Sequence, residues 1–430
     1  MALTGRAGAA ALLGALVVLA IRTTATLIIA DAVLAALIGA DLWLAGSPRA
    51  LALARAGDTR IRLGTSGTVT LTIRNAGRRR VRAVVRDAWQ PSAGAAPGRA
   101  GVSIPPGGAA ALVTTLTPVR RGDRVPGRVT VRSAGPLGLA ARQASRTVPW
   151  QVRVLPPFES RKHLPEKLSR LRQLDGQHRA LLPGQGSEFD SLREYVFGDD
   201  VRSIDWRSTA RRADVMLRTW RPERDRRIII VLDTGRTAAG RVGGIPRLDT
   251  SMDAALLLTA LALRAGDRVD LIAVDRRVRA RVVGASKAAG LQAFTSALAV
   301  LDAELIESDA GLMASVVLDL ARQRSLVVLL TDLNPAAVED GLLPRLPVLA
   351  ARHQLLVAAV ADPRLDELAA GRDSAAAVYA AAAAQQARSQ RERTSALLRR
   401  YGAQVVDAPP DRLPPALADA YLSLKASGRL

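Results

Sequence analysis

Two aspartates carry the clearest chemistry in this chain. Asp233 closes the apolar run Ile228–Asp233, and Asp332, about a hundred residues later, closes the run Leu326–Asp332. Short apolar runs bounded by polar residues read as buried strands. In an open sheet of order 3-2-1-4-5-6, these would be strands one and four. Their carboxyl ends would then flank the crevice where strand order reverses, which is where such sheets bind ligands. Two carboxylates converging there could hold a metal that activates water, so a metal-dependent hydrolase is one reading, with a nuclease in view given the basic charge. The bland alternative is that Asp233 caps the next helix while Arg236 neutralises the cleft.

A second concentration of polar chemistry runs from Gly184 to Arg227. Gly184 and Gly186 permit backbone shapes closed to other residues. Glu188 and Phe189 follow, and Phe189, Leu192 and Tyr195 fall at helical spacing, with Arg193 between them and Gly198 ending the turn. Asp199, Asp200, Arg202, Asp205, Trp206 and Arg211 then interleave opposite charges around an aromatic. Asp–Arg pairs of this kind fasten loops through charge-assisted hydrogen bonds. No nucleophile stands next to a base, so the stretch reads as a latch or a docking surface.

The totals exclude several classes. With no Cys in 430 residues there are no disulfides and no thiolate metal centres. His163, His178 and His353 are scattered, which gives no zinc cluster and no triad. No Gly–Lys dipeptide occurs, so a Walker-type nucleotide site is absent, as are G-x-S-x-G and H-E-x-x-H. The charge of +22 comes almost wholly from Arg, yet aromatics are 3% of the chain and nothing alternates basic with aromatic residues as base stacking requires. Attraction to an anionic leaflet explains the charge better than a specific nucleic acid.

The elements that must position these residues follow in order. Residues 8–21 and 25–45 are apolar runs separated by Arg22-Thr23-Thr24, and they read as a transmembrane hairpin over 1–48. Arg6, Arg49 and Arg55 outside it exceed the lone Arg22 at its tip, which puts both ends and the bulk of the chain in the cytoplasm. Asp31, inside the second run, should face the partner helix or another protein. Period-two alternation at Thr68–Ile73, Val81–Val85 and Arg128–Val131 predicts an immunoglobulin-like β-sandwich over 49–155. A linker helix and the polar stretch occupy 156–227. Alternating strands and helices then predict an α/β domain over 228–430, its third strand an antiparallel edge because only a hairpin's length separates it from the second.

Two resemblances sharpen these expectations. The order G-x-G-x-E-F, L-R-x-Y, G-D-D-x-R-x-I-D-W over Gly184–Trp206 resembles the bacterial domain-of-unknown-function-58 family; Thr209-Ala210-Arg211 stands where that pattern has S-A-R, and Glu223-Arg224 supplies its later E-R. With that resemblance, the α/β layout is similar to a doubly wound von Willebrand factor A-type domain. Such domains carry a metal-ion-dependent adhesion site, D-x-S-x-S with a later Thr and Asp. The resemblance implies Asp233, Thr237 and Asp332 as ligands for Mg2+, with Gly235 in place of the first Ser and Ser308 as the candidate for the loop hydroxyl. It also implies a non-enzymatic, membrane-anchored binding module, with no nucleotide of its own, working with a MoxR-type AAA+ ATPase in assembly or activation of other proteins.

Overall fold

The computed structural model describes residues 2–181, 188–197, 199–211, 214–221, 226–285 and 287–430. The chain divides into two compact units, Met1–Leu155 and Pro156–Leu430.

The first unit opens with two antiparallel helices, α1 (Gly5–Ile21) and α2 (Thr24–Leu44). Both are apolar on nearly every side, and their leucines, isoleucines and valines are largely exposed. The stretch Thr24–Ala50 is long and apolar enough to cross a membrane, with a mean hydropathy of 2.1; α1 is a shorter apolar helix of 17 residues. Asp31 is exposed rather than buried against α1. At the other end of α2, Asp41 is fully buried and accepts hydrogen bonds from the backbone N–H groups of Leu137, Leu139 and Ala140 at 2.8, 2.8 and 2.9 Å. A Cβ on Gly135 would overlap that carboxylate, so a glycine is needed for the close approach.

The remainder of this unit is all-β. Antiparallel strands Pro126–Ala134, Val81–Trp89 and Arg99–Ile104 lie in one sheet, and Leu51–Gly57, Gly67–Asn75 and Ala109–Leu116 lie in another. Alternate residues (Leu71, Ile73, Val81, Val85, Val129 and Val131) fill the core, while the residues between them face out. Period-two patterning is the direct cause, since successive side chains of a strand point to opposite faces. Arg55, counted above as a membrane-flanking charge, is instead buried on a strand and ion-paired with Asp87. It therefore drops out of the positive-inside comparison, leaving Arg6 and Arg49 against Arg22.

The second unit begins with helix α3 (Leu164–Leu181) and the antiparallel strands β1 (Glu188–Glu194) and β2 (Met216–Arg221). The helical spacing of Phe189, Leu192 and Tyr195 is thus not a helix. The pairing shifts register between Phe189 and Ser191, and such an irregularity lets apolar residues three apart fit a strand.

Six strands then form the main sheet: β3 (Arg227–Asp233), β4 (Arg268–Val274), β5 (Val278–Ala285), β6 (Leu326–Leu330), β7 (Gln354–Val360) and β8 (Ala403–Ala408). Their order is β5-β4-β3-β6-β7-β8, parallel throughout except for the antiparallel edge β5. In chain order this is 3-2-1-4-5-6. Ile228, Ile230 and Leu232 of β3 pack into one core with helices α4 (Arg247–Arg264), α5 (Lys287–Ala299) and, toward the C-terminus, Leu413–Ala426; Ile229 and Val231 pack into a second core with α6 (Ala310–Leu320) and α7 (Leu346–Arg352). A strand buried on both faces has no polar side to show, which is why these runs are continuously apolar. Helix α8 (Ala375–Arg400) leads into β8.

Candidate functional site

Asp233 is the last residue of β3, and Asp332 lies two residues beyond the end of β6, its neighbour in the sheet. Both line one small cavity at the carboxyl ends of these strands. A larger cavity of about 380 Å³ shares both acids and is lined also by Val231, Met313 and Leu329.

The environments of the two acids differ sharply. Asp233 is 5% exposed and meets only neutral donors: the Gly235 N–H at 2.9 Å, the Thr331 hydroxyl at 2.7 Å, the Ser308 hydroxyl in a short bond, and the Thr237 hydroxyl at a marginal 3.5 Å. No arginine or lysine among the described residues pairs with it. Arg236, the expected neutralising group, pairs with Glu307 instead. Asp332 is taken by two guanidinium groups: Arg247 of α4 binds Oδ2, and Arg391 of α8 donates to Oδ1 at 2.8 Å. Arg391 is itself fixed by Asp407 at 2.7 and 2.8 Å and by the Val360 carbonyl at 2.9 Å.

Ser308 reaches Asp233 because its loop is stitched to the loop after β3. Arg236 N–H donates to the Ile306 carbonyl and Glu304 N–H to the Thr234 carbonyl, each at 2.8 Å. Gly235 makes room for this. Its φ of −81° is open to any residue, yet a Cβ there would overlap Ser308 Oγ and stand 2.8 Å from the Ile306 carbonyl oxygen. The hydroxyl absent from position 235 is therefore supplied at the same place by a residue from another loop.

A buried carboxylate ringed by three hydroxyl oxygens is a donor set of hard oxygens, and Mg2+ uses one or two carboxylates with waters completing its shell. Asp233, Thr237, Ser308 and Thr331 fit such an ion. Asp332, expected as a ligand, is not available to it, because both its oxygens are held by arginines. Among the described residues there is no group of three or more His, Asp or Glu side chains that could hold a metal. Thr331, Arg247 and Arg391 were missed in the sequence. Thr331 stands next to Asp332 and could have been noticed; the arginines, in so Arg-rich a chain, carry no local signal.

The polar stretch folds around its own acids. Asp199 accepts from Arg193 at 2.6 Å and from the Val196 N–H at 3.0 Å, and the Arg193 guanidinium holds its carboxyl below the usual range. Asp200 accepts from the Arg202 N–H at 3.0 Å. Asp205 caps the short helix Trp206–Thr209 through the Arg207 and Ser208 N–H groups and accepts from Arg218 at 2.7 Å, which is the main reason its carboxyl is also depressed. Tyr195 N–H pairs with the Val215 carbonyl. The polar residues thus form an internal latch, while Phe197 and Trp206 are 100% and 68% exposed. Arg202 and Arg211 are exposed. Gly184, Gly186, Gly198, Glu223 and Arg224 lie outside the described residues, and of Glu188 and Phe189 only the backbone, in β1, is described.

The class defined by this geometry is a mixed α/β protein with a carboxylate–hydroxyl cleft at the ends of its central strands. Residues 191–404 match the family model described as "Protein of unknown function DUF58". Uncharacterized proteins of Mycobacterium bovis and Mycobacterium tuberculosis are each 29% identical over 202 residues, covering 45% of this chain and 61% of the relative. The match thus spans about three-fifths of the length of those relatives. Among solved structures, the CARDB domain of a Pyrococcus furiosus protein (16% identical, 24% of this chain, 87% of that chain, TM-score 0.19) and a FixG-related protein from Vibrio parahaemolyticus (12%, 24%, 96%, 0.16) are similar to part of the chain.

Proposed function

We propose that this chain is a membrane-anchored protein-binding module. Its cleft would capture an acidic side chain of a partner through a divalent cation held by Asp233, Thr237, Ser308 and Thr331. One observation carries the reading: Asp233 is a buried carboxylate whose partners are all neutral. Burying a charge is costly unless it is paired or coordinates a metal, so the site is built to receive a cation. When bound, the ion would supply open coordination positions for an anionic group. The sheet order, with its antiparallel edge and its crevice between β3 and β6, supports a von Willebrand factor A-like domain. A MoxR-type AAA+ ATPase is the partner we assign, on the resemblance of the polar stretch.

For the anchor we propose a two-helix hairpin, with the amino terminus and the bulk of the chain on the cytoplasmic side. Support comes from α1 and α2 being apolar all round and outwardly exposed, and from Arg6 and Arg49 outnumbering the tip's Arg22. The test is co-purification from detergent-solubilised native membranes, with Mg2+ or with chelator, using wild type and Asp233→Ala. An AAA+ ATPase enriched only by wild type with Mg2+ is expected. Enrichment indifferent to both changes would move the interface away from the cleft, and no ATPase under any condition would reject the partner.

A further inference from the structure

The cleft contains a second acid that its own arginines keep occupied, and this bears on how a cation would bind. Asp332 lines the same small cavity as Asp233. Its two oxygens are taken by Arg247 and Arg391, whose side chains are only 21% and 15% exposed. Arg391 is not a mobile surface group that happens to lie nearby. Asp407 grips its guanidinium at two nitrogens, and the Val360 carbonyl accepts a third bond. Two arginines therefore balance Asp332 and Asp407, and of the two acids lining the small cavity Asp233 is the one with no arginine or lysine partner among the described residues.

We infer that Arg391 is the residue that sets the cleft's cation affinity: it occupies the second carboxylate and so keeps the site a weak, one-carboxylate site. This rests on the cation reading above and goes beyond it. Two effects act in the same direction. Arg391 removes Oδ1 of Asp332 from the available ligands, and its positive charge in a shielded crevice repels an incoming cation. Because Arg391 is carried by α8, a displacement of that helix would free Oδ1 of Asp332, Oδ2 staying with Arg247, and tighten cation binding. Affinity for the ion, and through it for an acidic partner, is thereby tied to the position of one helix.

The experiment is calorimetric titration of the full chain in detergent with MgCl2 and with MnCl2. Wild type is compared with Arg391→Gln, Arg391→Lys, Asp332→Asn and the Arg391→Gln/Asp332→Asn double variant, with thermal unfolding as the check on folding. Arg391→Gln should bind at least about tenfold tighter, near the low end of the 5–150-fold couplings usual between linked sites. Arg391→Lys, which keeps the charge, should stay near wild type, and Asp332→Asn should erase the gain in the double variant. If Arg391→Gln fails to fold, Arg247→Gln frees the other oxygen of Asp332 and should shift affinity in the same direction. Equal affinities for wild type and Arg391→Gln would overturn the inference while leaving the one-carboxylate site standing. A gain that survives in the double variant would overturn it too, because Asp332 would then not be the group that Arg391 withholds. Binding by Arg391→Gln alone would support it and remove the wild-type cation site. No heat from any variant would overturn both.

Discussion

The sharpest prediction concerns Gly235, whose φ of −81° leaves no conformational reason for a glycine. The reason is space: an added Cβ would overlap Ser308 Oγ and stand 2.8 Å from the Ile306 carbonyl oxygen and 3.2 Å from the Ser308 nitrogen. The hydroxyl can rotate away, but the carbonyl is fixed by its bond from Arg236 N–H at 2.8 Å. Gly235→Ala should therefore destabilise the second unit by the overpacking cost of about 1–3 kcal/mol. At about 2 °C per kcal/mol for a domain of this size, thermal unfolding should fall by about 2–6 °C. In a Ser308→Ala background the overlap with Oγ is gone while the contact with the Ile306 carbonyl remains, so the same substitution should cost less but not nothing. Ser308→Ala alone should cost about 1.5–3 kcal/mol, the worth of a hydrogen bond to a charged group. Gly235→Ser in that background should restore part of the loss by returning a hydroxyl beside Asp233. Thermal unfolding of the four variants gives the coupling directly. An unchanged unfolding temperature in Gly235→Ala would refute the packing argument, and so would an equal cost in both backgrounds.

Two further tests probe the supports of the two units. Burial raises the Asp253 carboxyl to about 6 while it accepts bonds from Ser160 N at 3.1 Å and Oγ at 2.9 Å. A raised folded pKa means a contribution fully present below the unfolded value of about 3.9 and lost as pH climbs through about 6. Asp253→Asn should thus raise the unfolding temperature at pH 8 and leave it nearly unchanged at pH 4, with about 3 kcal/mol as the ceiling set by two pK units; a gain equal at both pH values would refute the assignment. In the first unit, Asp41→Ala would strand the N–H groups of Leu137, Leu139 and Ala140. At about 1–3 kcal/mol for each buried unpaired group, the loop around Gly135 should become susceptible to limited proteolysis, and protection equal to wild type would count against the role given to Asp41.

How much of this was legible before folding depended on whether the cause was local. Alternation within the sandwich strands and the continuous apolar runs of β3, β6 and β7 are properties of neighbouring residues, so the elements and their faces could be read directly. The third strand's antiparallel edge followed from the short link before it. Asp233 is marked as a site residue because it ends a run, and Asp31 stands out as an acid in an apolar run; the role of Asp41 in that same run shows only in its bonds to the Leu137–Ala140 backbone.

What the tertiary structure alone decided were the pairings between residues far apart in the chain. Nothing near Asp332 shows that Arg247 and Arg391, from two different helices, take both its oxygens. Nothing near Gly235 shows that Ser308 fills the space left by its missing side chain. The helical spacing at Phe189 and Leu192 became a strand, with Tyr195 just beyond its end, because Met216–Arg221 lies opposite, and Arg55 left the membrane flank for a buried partner, Asp87. A side chain's charge is written in the sequence, but its partner is set by which strands and helices meet, and that meeting determines whether an aspartate is free to bind a cation or is already bound.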